Sequence, residues 1–176
     1  MDIINLTRAI AENYFFMKGL TKHFGEPIHL SETECEKVLA DLRNDRFMLH
    51  RFSFVFNIKS VKLTHHNNVG KFMSKENIGL EEFFFKVHPD YMADYLRWGE
   101  AIYSYAQELK AKIQPLLQTY RITIPIKLKD GKYHWVLQES MAFQLDSEKN
   151  MVSHLNIYSV ARPFDAKEKI PLIGDL

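Results

Sequence analysis

The sequence has one cysteine, almost no net charge and none of the segments that place a protein in a membrane. Its 176 residues carry 23 Lys and Arg against 22 Asp and Glu, a formal net charge of +1. With so small a net charge, the chain as a whole has no excess of basic residues that would favour binding to nucleic acid. Cys35 stands alone, which excludes an intrachain disulfide and fits a reducing compartment.

Signals for membrane insertion and export are also missing. No apolar run approaches the roughly 18 residues that a transmembrane helix needs. The first residues, MDIINLTRAIAEN, lack the basic and apolar regions of a signal peptide. We therefore expect a soluble, cytoplasmic protein that makes no contact with membranes.

Motifs of common enzyme and metal sites are absent as well. The sequence contains no GxSxG, no HExxH and no GxxxxGK(S/T). His65 and His66 are adjacent on a predicted strand, so their side chains should point to opposite faces and not share an ion. We expect neither an enzyme nor a metal site.

The clearest structural signal is an antiparallel meander near the C-terminal end. Apolar and polar residues alternate over 120–128, which is the period of a strand with one buried face. Asp130-Gly131 is a hairpin signal, since Gly tolerates positive φ. Further strands are predicted over 132–145 and 151–161, and three such strands are enough to form one side of a core.

Two helices are predicted before the sheet. The first covers about 3–23, where apolar residues from Ile3 to Leu20 recur at three- and four-residue spacing. The second begins at a capping box, Ser31 with Glu34, and ends near Asn44. We expect this pair to pack on the later domain or on a partner chain.

The middle of the chain predicts two strands and then helices. Strands are expected at 52–56 and 61–63, a short helix at 80–85 and a long helix at 91–109. Because helices stand between two groups of strands, the pattern favours an α+β fold with an antiparallel sheet.

Four short motifs, in this order and spacing, resemble those of a PAS domain. They are Asn67-Asn68-Val69, Ile78-Gly79-Leu80-Glu81-Glu82, His88-Pro89-Asp90 and Lys129-Asp130-Gly131 followed by aromatic residues. The resemblance implies an α+β fold with a five-stranded antiparallel sheet and helices on one face. It divides the chain into an N-terminal helical extension (1–45), a PAS-like sensor domain (46–164) and a C-terminal tail or linker (165–176).

The position of one proline agrees with this resemblance. In a PAS sheet the first strand of the final meander lies at an edge. Pro125 falls in that strand, and Pro is tolerated in strands mainly at edges because it cannot donate to the hydrogen-bond ladder.

Residues 100–175 are similar to PAS regions that precede a LuxR-type helix-turn-helix in some bacterial regulators. This implies a non-catalytic sensory domain acting in signal transduction and transcription regulation. We expect a homodimer, with DNA contacted only through a C-terminal module that these residues do not contain. The alternatives are the sensor region of a histidine kinase and a small α+β pocket enzyme. Such an enzyme would need Glu139 and His154 as an acid–base pair.

The resemblance brings no cofactor with it. Light-sensing flavin PAS domains need a Cys in their helical part, and Cys35 precedes the domain. Haem-binding PAS domains commonly use a His on or near the long helix. None occurs within 91–109, although His88 is close. We therefore expect no cofactor.

The candidate ligand site lies between the meander and the long helix. Glu139 interrupts the otherwise apolar row of the second meander strand, where a carboxylate is costly unless paired. It either contacts a ligand or is turned to solvent by a bulge. The pocket candidates for a small molecule of unknown identity are Tyr95, Trp98, Trp135, Phe72 and Glu139. Without a ligand, large aromatics such as Phe72 and Trp135 should fill this layer completely.

Overall fold

The computed structural model describes residues 27–110 and 112–167. The predicted helix over 3–23 and most of the predicted C-terminal tail lie outside the described residues. Within them, no helix is long and apolar enough to cross a membrane.

The elements follow the order predicted from the sequence. They are β1 (Pro27–His29), α1 (Glu32–Asn44), a 3₁₀ helix (Arg46–His50), β2 (Arg51–Asn57), β3 (Lys62–Asn67), α2 (Val69–Phe72), α3 (Leu80–Phe84), α4 (Pro89–Glu108), β4 (Thr119–Lys127), β5 (Tyr133–Asp146) and β6 (Met151–Pro163). Strands and helices are segregated as an α+β fold requires.

The described strands form one antiparallel sheet. Its order is β1-β5-β6-β2-β3, and β4 also pairs with β5. β4 pairs along residues 133–141 of β5, whereas β1 pairs only near Leu145 and Asp146. The predicted five-stranded, PAS-like sheet is confirmed. The short β1 is an addition that the sequence did not reveal, because three residues starting with a proline show no periodicity.

β4 lies at an edge of the sheet, as Pro125 predicts. The Pro125 carbonyl accepts a hydrogen bond from the His88 backbone N–H at 2.9 Å, and Lys127 donates to the Lys86 carbonyl at 2.7 Å. Residues 86–88 therefore run along the outer side of β4. In an antiparallel strand the backbone N–H and C=O of one residue point to the same side. Because the Pro125 carbonyl points to residues 86–88 and away from β5, its missing N–H removes no hydrogen bond between β4 and β5.

The larger hydrophobic core lies between one face of the sheet and α2, α3 and α4. The sheet contributes buried Phe52, Phe54, Ile124 and Val136, and α4 contributes Met92 and Tyr95. These three helices cover the face that the PAS-like fold assigns to helices.

A second core covers the opposite face of the sheet. Cys35 and Leu39 of α1 are buried against a group of sheet residues that includes Phe143 and Leu155. α1 begins at the predicted capping box, in which the Ser31 side chain accepts from the Glu34 N–H and the Glu34 carboxylate accepts from the Ser31 N–H. In the middle of the sheet, β5 and β6 are therefore covered on both faces. Their side chains point alternately toward one core or the other.

Candidate functional site

A cavity of about 100 Å³ lies between α4 and the sheet. Its walls are mainly aromatic and aliphatic side chains from α3, α4, β2 and β6, such as Phe83, Tyr95, Trp98 and Tyr158. The predicted ligand layer therefore contains a space, and large aromatics do not fill it completely.

The start of α4 sets the position of the helical wall. His88 is the N-cap, and its Nδ1 accepts a hydrogen bond from the Asp90 N–H at 3.3 Å. Pro89 occupies the first turn, where its fixed φ and missing N–H suit a helix. His88-Pro89-Asp90 thus builds the helix start, with His88 as the cap and Asp90 as the acidic residue of the first turn.

Buried polar side chains of β5 and β6 form the floor of the cavity. The Tyr95 hydroxyl donates to Gln138 Oε1 at 2.9 Å, and Gln138 Nε2 donates to Ser140 Oγ at 2.9 Å and to Asn156 Oδ1 at 3.0 Å. Ser140 Oγ donates to Asn156 Oδ1 at 2.6 Å. All four residues are buried, so each bond replaces water that these groups would otherwise bind.

The sequence analysis missed this network. Gln138 and Ser140 alternate with the apolar row of β5, a pattern typical of a strand face exposed to solvent. The signal that could have found them is the matching Asn156 on β6, where Ser140 and Asn156 pair directly. Two polar residues opposite each other in the centre of a meander indicate a buried network once both sheet faces are covered.

Tyr95, Tyr158 and His154, which line the cavity, are electrically neutral near neutral pH. Burial raises the pKa of Tyr95 to about 12 and raises that of Tyr158 well above its usual value. Burial lowers the pKa of His154 to about 4, and the nearby Asn156 side chain opposes this shift in part. Among the described lining residues, none is Lys or Arg and Glu100 is the single acid.

Two polar atoms of the cavity wall have no protein partner. Within residues 27–110 and 112–167, Trp98 Nε1 and His154 Nδ1 are buried and form no hydrogen bond. Both residues line the cavity. Leaving a buried polar atom unsatisfied costs roughly 1–3 kcal/mol, so a bound molecule or water that reaches it is favoured.

Of the pocket candidates, the structure brings Tyr95 and Trp98 to the cavity and places Glu139 elsewhere. Glu139 lies on the opposite face of the sheet, where its Oε1 accepts from Arg121 Nε at 3.0 Å and its Oε2 is 3.8 Å from Arg51 Nη1. The prediction that Glu139 faces the long helix is wrong. The reason is that Met141 and Phe143, the next apolar residues of the β5 row, pack in the core beneath α1. Glu139 lies on their face of the sheet, outside the ligand layer.

Trp135 and Phe72 do not line the cavity either. Trp135 packs in an aromatic cluster at the start of α4, with ring centroids 5.5 Å from Tyr91 and 5.1 Å from Phe164. Phe72 ends α2 and packs against Phe52 at 5.4 Å. The expectation that these two aromatics fill the ligand layer is therefore wrong.

The acid–base pair of the enzyme alternative is not formed. Glu139 pairs with Ile157 across the β5–β6 ladder, whereas His154 pairs with Ala142. Glu139 faces the arginines on the outer side of the sheet, and His154 faces the cavity. Among the described residues, no group of three or more His, Cys, Asp or Glu side chains is arranged to hold a metal ion.

Comparison with known proteins adds little to this geometry. No family model matches the chain, and no curated protein matches it. One solved structure with a similar chain is a sensory box histidine kinase/response regulator from Burkholderia thailandensis E264. The two share 16% sequence identity with a TM-score of 0.39, over 67% of this chain and 86% of that chain. We assign the PAS-like fold from the strand order and helix placement of this chain alone.

Proposed function

We propose that this chain is a non-catalytic PAS-type sensory domain that binds a small molecule in the cavity between α4 and the sheet. The observation that carries the proposal is the cavity itself, with its buried polar floor and two unsatisfied polar atoms. A cavity with few, well-placed polar groups is the usual form of a small-molecule site.

A route for the signal runs along α4. Tyr95 and Trp98 of α4 touch the cavity, and Tyr91, near the start of the same helix, packs against Phe164 with centroids 5.9 Å apart. Phe164 follows the end of β6, and its N–H donates to the Tyr133 carbonyl at 3.0 Å. A ligand that favours one position of α4 would therefore bias the packing where the chain leaves the sheet.

The output proposed for this signal is transcription, through a LuxR-type helix-turn-helix. The similarity of residues 100–175 to the PAS regions of such regulators supports it. A histidine kinase sensor would use the same cavity, so the output module distinguishes the two. We expect the gene to encode a helix-turn-helix beyond Leu176; a kinase module there would replace this assignment.

We also propose that the domain works in the cytoplasm as a homodimer. Phe47 and Leu49 of the 3₁₀ helix are 79% and 58% exposed, and exposed large apolar side chains favour a protein interface. The 3₁₀ helix follows α1, which covers the outer face of the sheet.

Ligand-induced stabilisation tests the sensory proposal directly. Dialysed protein is mixed with the small-molecule fraction of an extract of the cells that naturally make it, and the thermal unfolding midpoint is measured. We expect the midpoint to rise, because a ligand bound only by the folded state stabilises it. Mass spectrometry of denatured protein then identifies the retained compound.

Two matched variants locate the effect. Leu96 and Leu128 are both 8% exposed core residues, but only Leu96 lines the cavity. Leu96→Phe should abolish the shift and Leu128→Phe should keep it. No shift in the wild-type protein, or conversion of an extract compound by the purified domain, would remove the proposal of a non-catalytic ligand sensor.

A further inference from the structure

The chemistry of the cavity wall defines a class of ligand. We infer that the cavity takes a small, uncharged, single-ring compound that accepts a hydrogen bond from the Trp98 indole N–H. This inference rests on the proposed sensory function and adds the nature of the ligand to it.

The size of the cavity limits the ligand to one ring. Its volume is about 100 Å³. A dry protein cavity of about 150 Å³ accepts benzene, so one small ring, admitted by a slight outward movement of the wall, is the upper bound for this smaller space.

The shape of the wall favours a flat ligand. Tyr95 and Trp98 are stacked, with centroids 6.1 Å apart and planes 17° apart, and Phe83 meets Tyr95 edge-on at 6.4 Å. Aromatic side chains pack well on a planar ring in stacked or edge-to-face geometry.

The charge of the wall disfavours ions. No Lys or Arg is among the described residues that line the cavity, so an anion would lack a countercharge. The floor of Gln138, Ser140 and Asn156 is neutral, and its members already bond to one another. Glu100 is partly exposed, so a buried cation would gain little from it.

The two unsatisfied atoms specify the polar part of the ligand. Trp98 Nε1–H can only donate, so the ligand must offer an acceptor. His154 Nδ1 either donates or accepts, depending on the tautomer. A ring bearing a hydroxyl or a carbonyl offers the acceptor that Trp98 needs, and phenol is the simplest probe of this kind.

The protein carries an internal reference for the test. It has two tryptophans, so its nitrogen–proton correlation NMR spectrum has two indole signals, which Trp98→Phe assigns. Trp135 Nε1 is also buried and without a hydrogen bond among the described residues, but Trp135 does not line the cavity. A ligand bonded to Trp98 should move the Trp98 proton signal downfield and leave the Trp135 signal in place.

The experiment titrates dialysed protein with phenol, toluene, benzoate and benzylammonium at neutral pH. We expect phenol to bind about 3- to 10-fold more tightly than toluene, the effect of one neutral hydrogen bond. Both charged probes should bind more weakly than phenol. Trp98→Phe should remove the preference of phenol over toluene, whereas Trp135→Phe should retain it.

Three results would overturn the inference. They are toluene binding as tightly as phenol, a charged probe binding as tightly as phenol, and a Trp98 signal that no probe moves. The wild-type comparison of phenol with toluene decides the matter even where Trp98→Phe does not fold. If the extract still stabilises the wild-type protein while the probes fail, the ligand class is wrong and the sensory function stands. If the extract fails too, both proposals fall.

Discussion

Gln138 and Glu139 are neighbours on β5, yet they serve opposite faces of the sheet. Gln138 accepts a hydrogen bond from the Tyr95 hydroxyl at 2.9 Å on the cavity side. Glu139 accepts from Arg121 at 3.0 Å on the outer side, where Arg121 is 50% and Glu139 17% exposed. The same strand therefore carries a buried neutral network on one face and a partly solvated ion pair on the other.

Substitutions at these two positions should have unequal costs. We expect Gln138→Leu to lower the free energy of unfolding by about 1–3 kcal/mol, since it removes the acceptor of the buried Tyr95 hydroxyl. Ser140 and Asn156 keep the hydrogen bond between them. Glu139→Gln should cost no more than about 1 kcal/mol, because the arginines remain hydrated. Urea unfolding measures both, and a larger loss for Glu139→Gln would contradict the assignment of the two faces.

Protonation of His154 should weaken the fold in mild acid. Its pKa in the folded protein is about 4, below the usual 6.5, so the unfolded chain binds the proton more readily. The stabilisation is complete above about pH 6.5 and falls as pH decreases toward 4, by on the order of 1–3 kcal/mol. Burial lowers the pKa values of His66 and His88 as well, so they add to the slope in the same direction.

A variant isolates the contribution of His154 from that of the other histidines. His154→Gln should flatten the dependence of unfolding free energy on pH in this window, whereas His65→Gln, at an exposed position, should not. Chemical denaturation at several pH values between 4 and 7 gives both slopes. An unchanged slope in His154→Gln would show that this ring is not held neutral by its surroundings.

The exposed 3₁₀ helix offers a test of the homodimer. We expect the double variant Phe47→Asp, Leu49→Asp to convert a dimer to a monomer in light scattering, because charges would replace the apolar contact. Phe85 is also exposed, at 45%, but lies beyond α3, so Phe85→Asp is the matched control. A dimer that survives the double substitution, or a monomeric wild type, would rule out this surface.

The sequence predicted the order of elements well, because that order depends on local signals. The alternation over 120–128, the Asp130-Gly131 turn and the Ser31 capping box each act within a few residues, and each is present in the structure. The edge position of β4 could be predicted from Pro125, because a proline has no backbone N–H to donate to a neighbouring strand, whatever the rest of the fold.

The sequence could not show on which face of the sheet each side chain of β5 lies, because that depends on contacts with residues far away in the chain. An apolar row fits either side of a sheet, and Met141 and Phe143 of the β5 row pack beneath α1, an element far earlier in the chain. Glu139 was therefore offered as a pocket candidate, and Gln138 and Ser140 were not singled out. Trp98 and Tyr95 line the cavity because both lie on the apolar stripe of α4 that meets the sheet, and their contact with a ligand stays a prediction.

Hydrogen exchange at the end of β6 tests most directly whether this domain senses a ligand. Exchange is followed by mass spectrometry in peptides covering 159–164, with and without the small-molecule fraction that stabilises the protein, and Phe164→Ala serves as the uncoupled control. We expect the ligand to change exchange at this segment in the wild type, and the change to be lost in Phe164→Ala while the rise in unfolding midpoint remains. Stabilisation of the wild type with no change at 159–164 would contradict signalling through α4 and Phe164.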